Sequence, residues 1–339
     1  MSNLNPNIKL NKKKEHKIED LYKKILKGDR YALGKAITLI ESNKPQHRKE
    51  SKELISMCMK HKKDSLRIGI TGSPGVGKST LLEKLGLFVI EKGFKPAILA
   101  IDPSSKISGG SILGDKTRMN KLSKSSKAFI RPSPAGKSLG GVANKTMESV
   151  ILVETAGFNP VFIETVGVGQ SEIAVNSMTD IFILLLQPGA GDEIQGIKRG
   201  IMEMADIIVV NKADGDNLVN AEKTLARYSN ALNLFKEKEN GWNTEILMIS
   251  ALENKGIEKL WSVISKFEET VKKSGYFDLN RKKQNLEWFQ DYIYKNLLEK
   301  IINNPELKKK YPEMLKKVED GSMSFYEAGD YLIDLLLKN

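Results

Sequence analysis

Short apolar runs and helical repeats alternate through the middle of the chain. LRIGIT (66–71) has the length of a buried strand and ends in a glycine-rich turn. Further strand-like runs lie at Lys95–Ala100, Ala128–Ile130, Val161–Ile163, Ile181–Leu186, Ile207–Val210 and Ile246–Ile249. Between them, residues 78–91, 142–156, 193–205, 218–238 and 256–273 read as helices. Short apolar strands that alternate with helices predict an α/β fold, a mostly parallel sheet covered on both faces.

On either side of this core the strand signal stops. Upstream, Leu21, Ile25, Leu33, Ile37, Ile40, Leu54, Ile55 and Cys58 recur at roughly helical spacing. Gly28-Asp29 and Asn43-Lys44-Pro45 break that pattern. Downstream, 281–302, 306–319 and 324–337 read as helices, broken at Asn303-Asn304-Pro305 and Gly321. The expected division is an N-terminal helical extension (1–62), a core (63–274) and a C-terminal helical arm (275–339). The arm either joins copies and partners or caps the core; its pattern suits both.

Composition excludes several classes. A chain of 339 residues, 40% hydrophobic, can bury a large core. Its longest purely apolar runs, such as Ile181–Leu186, are far too short to cross a bilayer. The opening MSNLNPNIKLNKKK has no apolar signal-peptide core, so a cytoplasmic protein without a membrane role is expected. The lone cysteine, Cys58, excludes an internal disulfide and lies among Ile55, Met57 and Met59, a setting for buried packing. His16, His47 and His61 all precede the motifs described next, which argues against a histidine metal or nucleophilic centre. The net charge of +12 comes mostly from lysines spread along helices among glutamates. It reads as solvated surface, not as a nucleic-acid-binding face.

GSPGVGKST, Gly72 to Thr80, fits the phosphate-loop pattern G-x-x-x-x-G-K-[ST], after a strand and at the start of a helix. Gly72, Ser73, Pro74, Gly75, Val76 and Gly77 form a turn whose backbone N–H groups can face phosphates, aided by the helix N-terminus. Lys78 is placed to reach the β- and γ-phosphates, and the Ser79 hydroxyl to ligate Mg²⁺. The core is therefore expected to be a three-layer P-loop NTPase fold. Asp102 ends the second strand, at the sheet edge where such folds bind ligands, and suits a direct or water-mediated Mg²⁺ role. Glu164 ends another strand, three residues before Gly167. That carboxylate can hold a Mg²⁺-bound water while the Gly167 N–H senses the γ-phosphate.

NKAD, Asn211 to Asp214, follows the strand IIVV. The Asp214 carboxylate can accept from both N1–H and the N2 amine of guanine. Adenine has no such donor pair and would leave the carboxylate unpaired. Asn211 can secure the loop, and the Lys212 stem can cover the base. Ser250 and Ala251 follow the last core strand, where their backbone can address guanine O6. These features predict a guanine-specific nucleotide site.

Beyond these motifs the chain resembles the methylmalonyl-CoA mutase-associated GTPases, the MeaB/ArgK family, in the metallochaperone-like branch of P-loop GTPases. The resemblance rests on AITLIES (36–42), GITGSPGVGKST (69–80), DPSSKISGGSILGDKTRM (102–119) and RPSPAGKSLGGVA (131–143). It continues through FIETVGVGQSE (162–172), QPGAGDEIQGIKRGIMEMADIIVVNKADG (187–215) and SA (250–251). It implies that Asp102 serves Mg²⁺ and that Ser108 to Met119 form a first switch, with Asp115 placed to respond to nucleotide. Glu164 to Gly169 would open a second switch, and Gln187 to Lys198 an extra one facing the partner. Lys198 matches a lysine associated with partner-stimulated hydrolysis, and the C-terminal helices match a homodimerisation arm. Ala135-Gly136-Lys137 departs from a serine-arginine-glycine version in relatives, so Lys137 is not given that arginine's role.

The implied function is a GTPase that chaperones an adenosylcobalamin-dependent acyl-CoA mutase, gating cofactor loading and helping to expel damaged cofactor. Methylmalonyl-CoA mutase is the favoured client, its adenosyltransferase is a second candidate partner, and no tightly bound cobalamin is expected on this chain. An older family name refers to LAO/AO transport ATPases, but the guanine contacts argue against ATP. The alternatives are a maturation GTPase for another cofactor-dependent enzyme, a small-molecule kinase, or a module that holds nucleotide structurally. Many small GTPases orient the attacking water with a glutamine directly after the second-switch glycine. Here Val168 follows Gly167 and Gln170 comes later, so hydrolysis is expected to be slow without a partner.

Overall fold

The apolar runs become seven strands: β1 (Arg67–Gly72), β2 (Ala97–Ile101), β3 (Phe129–Pro132), β4 (Val161–Thr165), β5 (Ile181–Leu186), β6 (Ile207–Val210) and β7 (Glu245–Met248). They pair in the order β3-β2-β4-β1-β5-β6-β7, every pair parallel. β1 lies in the middle of the sheet and is buried along its whole length. That matches its apolar character, because a parallel sheet is covered on both faces. This computed structural model describes residues 18–42, 44–61, 63–101, 119–132, 139–165, 171–189, 199–232, 235 and 238–337.

The upstream helices are α1 (Ile18–Leu26), α2 (Arg30–Glu41) and α3 (Pro45–Met59). The break at Gly28-Asp29 has a local cause. Gly28 takes a left-handed φ of 76°, and the Asp29 carboxylate caps α2 by accepting from Tyr31 N at 2.8 Å and Ala32 N at 3.1 Å. The crossover helices are α4 (Lys78–Glu91), α5 (Asn120–Lys124), α6 (Leu139–Thr155), α7 (Ser171–Asn176), α8 (Arg199–Met204), α9 (Leu218–Leu232) and α10 (Ile257–Lys273). Along α10, Ile257, Leu260, Ile264, Phe267 and Val271 form one apolar stripe buried in the core with Leu81, Leu85 and Val89 of α4. Each such side chain contributes roughly 1.5–3 kcal/mol of transfer free energy. The helix expected over 218–238 stops at Leu232. Lys238 is instead outside the helix, with its ammonium on the Met204 and Ala205 carbonyls and the Asp206 carboxylate.

At the amino edge of the sheet, polar side chains close the strand starts. Asp180 accepts from Arg67 N at 2.7 Å, Asp206 from Phe182 N at 2.9 Å, and Asn159 from Leu66 N at 3.0 Å. The buried Arg67 guanidinium donates twice to Glu154, at 2.7 and 2.9 Å. These groups meet the hydrogen-bonding needs of buried backbone and charge. The opposite, carboxyl edge carries the loops described below.

The chain divides into two compact units, Met1–Asp278 and Leu279–Asn339. In the first, α2 and α3 pack on α6. The second holds most of α11 (Tyr276–Asn303), together with α12 (Pro305–Glu319) and α13 (Phe325–Leu337). Leu307, Met314 and Ala328 are buried there. Among the described residues, no helix is long and apolar enough to cross a membrane.

Candidate functional site

The phosphate loop leaves β1 at Gly72 and enters α4 at Lys78. Two of its glycines are sterically required. A Cβ on Gly72 would lie 2.5 Å from the Leu185 carbonyl oxygen, and one on Gly77 would collide with the Asn211 amide nitrogen. Gly77 also has a φ of 100°, in the left-handed region. Between them Ser73, Pro74 and Gly75 face outward to different degrees, while Val76 is fully buried and pins the loop to the core. Thr80 follows in the first turn of α4, half-buried.

Lys78 is only 7% exposed. Its ammonium donates to the Gly72 carbonyl at 2.7 Å and the Ser73 carbonyl at 3.0 Å. Burial pulls its pKa below the usual lysine value, and the carboxylates of Glu164 and Glu172 oppose that shift. A buried cation in the first turn of a helix that follows a glycine-rich loop is suited to an anionic ligand. The Ser79 hydroxyl donates to Glu164 Oε1 at 3.2 Å. Glu164 reaches it from β4 because β4 is the neighbour of β1, with Ile70 opposite Glu164. One residue further along each strand, the Thr71 and Thr165 hydroxyls are 2.8 Å apart.

The second half of the site follows β6 and β7. Asn211 is buried and bridges three loops: its amide donates to the Val76 carbonyl at 2.8 Å, and its side-chain oxygen accepts from Ala251 N at 3.1 Å. Lys212 has a φ of 60°, rare for a residue with a side chain, and Ala213 N donates to the Ile249 carbonyl at 3.0 Å. Asp214 accepts a short hydrogen bond from the Ser250 hydroxyl, which itself accepts from Glu253 N at 3.1 Å. Gly72 to Thr80, Glu164, Asn211 to Asp214, Ser250 and Ala251 thus all lie on loops or element ends at the carboxyl edge, three of them joined by Asn211. Asp102, Asp115, Gly167 and Lys198 lie outside the described residues.

The family model for the methylmalonyl Co-A mutase-associated GTPase MeaB matches residues 33–306. The chain belongs to the MeaB family. The match spans most of the first compact unit, the start of the second, and every described site residue named above. GTPase ArgK of Escherichia coli is 41% identical over 310 residues, covering 91% of this chain and 94% of that protein. A mouse (Mus musculus) protein named methylmalonic aciduria type A homolog, mitochondrial, is 40% identical over 334 residues, covering 96% of this chain and 80% of that one. Among solved structures, a crystal structure of an LAO/AO transport system kinase superposes with a TM-score of 0.75 at 35% identity, covering 95% of this chain and 98% of the other. This MeaB protein is a GTPase with the P-loop NTPase fold, as expected from its motifs.

Two features of the site escape a reading of the sequence. Glu172, on the first turn of α7, is 4% exposed and close enough for its charge to act on Lys78. The only signal for it is its place in FIETVGVGQSE, eight residues after Glu164. The Thr71–Thr165 contact has no linear signal, because it depends on which strand lies beside β1.

Proposed function

We propose that this MeaB-family GTPase binds Mg²⁺–GTP at the carboxyl edge and uses its hydrolysis to regulate an adenosylcobalamin-dependent acyl-CoA mutase. The observation that carries the guanine assignment is the Asn211 bridge. It ties the phosphate loop at Val76 to the base loop at Ala251, beside the Asp214–Ser250 pair. An Asp214 carboxylate held there accepts from guanine N1–H and N2 and rejects adenine. The main-chain N–H groups of Gly72 to Thr80 cradle the phosphates, and Lys78 reaches the β- and γ-oxygens. Gly167 N–H contacts the γ-phosphate. Lys212 covers the base, and Ser250 and Ala251 address O6.

The donor set fits Mg²⁺. The Ser79 hydroxyl and Glu164 carboxylate are hard oxygen donors 3.2 Å apart beside the phosphate loop, as this cation requires. Ser79, Asp102 and Glu164 hold it directly or through water. Bound there, the ion neutralises charge on the β- and γ-phosphates. Asp115 and Lys198 act in partner-stimulated hydrolysis. Turnover is slow without that partner, since Val168 cannot orient water.

The mutase as client draws on the family's description and on the mouse relative's name. Its adenosyltransferase is the second proposed partner, the helices of 275–339 the homodimer arm, and the cytoplasm the location. Two measurements test the reading. In a competition titration, GTP should displace a fluorescent guanine nucleotide at least about a hundredfold better than ATP, the discrimination expected when a buried acceptor pair is left unpaired. Equal displacement removes the guanine assignment. With a nonhydrolysable GTP analogue, the protein should retain a cobalamin-dependent mutase from its native extract, and failure to retain one removes the client.

A further inference from the structure

Thr71 immediately precedes Gly72 of the phosphate loop, and Thr165 immediately follows Glu164. Their strands, β1 and β4, are parallel neighbours. The two hydroxyl oxygens are 2.8 Å apart, and the residues are 1% and 0% exposed. In a parallel strand buried on both faces, valine is the expected β-branched residue, and it has nearly the same shape as threonine. Two hydroxyls in that setting add directionality that two methyl groups would not. The bond can form only when the ends of β1 and β4 keep one separation, and a buried hydroxyl that loses its partner is left unsatisfied at a cost to stability.

That separation matters to the residues on either side. Glu164 accepts from Ser79 at 3.2 Å across the same gap. Mg²⁺ demands near-ideal octahedral geometry at about 2.0–2.1 Å, so drift of a few tenths of an ångström in a ligand's position weakens its site. We propose that Thr71 and Thr165 are a positioning pair that holds the Glu164 carboxylate in register with Ser79 and so sets the Mg²⁺ requirement for tight GTP binding. The pair is given no direct contact with nucleotide or metal; it acts through Glu164 and the phosphate loop. Its role rests on the assignment of Ser79 and Glu164 to the Mg²⁺ site.

The test is a Mg²⁺ titration of fluorescent GTP-analogue binding to the full chain, with thermal unfolding of every variant. Thr165→Val should raise the Mg²⁺ midpoint by about tenfold while affinity in EDTA stays within about twofold, because the phosphate and base contacts are intact. Thr165→Ser, which keeps the hydroxyl, should return the midpoint to that of the wild type. Thr71→Val should give the same shift, and the double valine variant little more, because the two residues act as one unit. A merely structural pair would lower the unfolding temperature and leave the midpoint alone. That result, or shifts that add in the double variant, overturns the proposal. If Thr165→Val does not fold, Thr71→Val carries the same expected shift and the same overturning result. A wild type that binds GTP without regard to Mg²⁺ overturns the metal-site reading itself, and the pair's role with it.

Discussion

Lys78 and Asp214 mark the two ends of the proposed nucleotide. The Lys78 ammonium already rests on the Gly72 and Ser73 carbonyls, at the mouth of its own loop. Hydrogen bonds to charged groups contribute roughly 1.5–3 kcal/mol each, so Lys78→Ala is expected to weaken GTP binding by about one to two orders of magnitude. Isothermal titration calorimetry reads this directly, and wild-type affinity in the variant would clear Lys78 of phosphate contact. At the other end, Asp214→Asn replaces an acceptor pair with one acceptor and one donor. The GTP-to-ATP preference should fall by about a hundredfold, with ATP binding little changed. A preference that survives the substitution would place guanine recognition elsewhere. The Ser250 hydroxyl can still pair with asparagine, so the loss belongs to the base and not to the loop.

At the scale of elements, Gly77→Ala asks whether the loop, the helix and the base site are one assembly. The new methyl group would meet the Asn211 amide and would force a left-handed φ on alanine. That backbone alone costs of order 1–3 kcal/mol. Thermal unfolding should drop by several degrees and GTP affinity should fall with it, since Asn211 also holds Ala251. A variant that melts like the wild type would mean that the loop relaxes freely. Much of this level is legible in the sequence. Strands such as Ile181–Leu186 are continuous apolar runs, and the phosphate and base motifs each follow one. What is not legible is lateral. Nothing along the chain says that β4 lies beside β1, so the meeting of Ser79 with Glu164 and of Thr71 with Thr165 comes only from the sheet order. Likewise Asp180 and Asp206 read as ordinary turn residues, yet each closes the start of a neighbouring strand. The overrun of α9 has a similar cause: Lys238 fits a helical pattern, but three acceptors around Asp206 draw it out of one.

For the molecule as a whole, the proposed function needs contacts with other chains. Lys198→Ala should leave GTP affinity near normal and remove most of the partner-stimulated rate, because its charge is needed only as charge develops on the transferring phosphoryl group. Single-turnover hydrolysis at saturating mutase decides this, and equal stimulated rates would take Lys198 out of the mechanism. The proposed self-association is assigned to the second unit. Along α11, Leu286, Phe289, Ile293 and Leu297 recur at offsets that place them on one helix face, and all four are exposed. Tyr294 and Leu298 extend the apolar surface alongside. A soluble monomer rarely leaves so continuous an apolar stripe in water. A stable dimer buries roughly 1,200–2,000 Å² in total, and its centre is apolar. Placing two carboxylates in that stripe, with Leu286→Glu and Phe289→Glu, should therefore convert a dimer to a monomer in sedimentation equilibrium. The residues of the nucleotide site all lie in the other unit, Met1–Asp278, so GTP affinity should stay within about twofold if the paired charges act on self-association alone. A wild type that sediments as a monomer at every concentration would refute the dimer. A double variant that remains dimeric would move the interface off this face of α11.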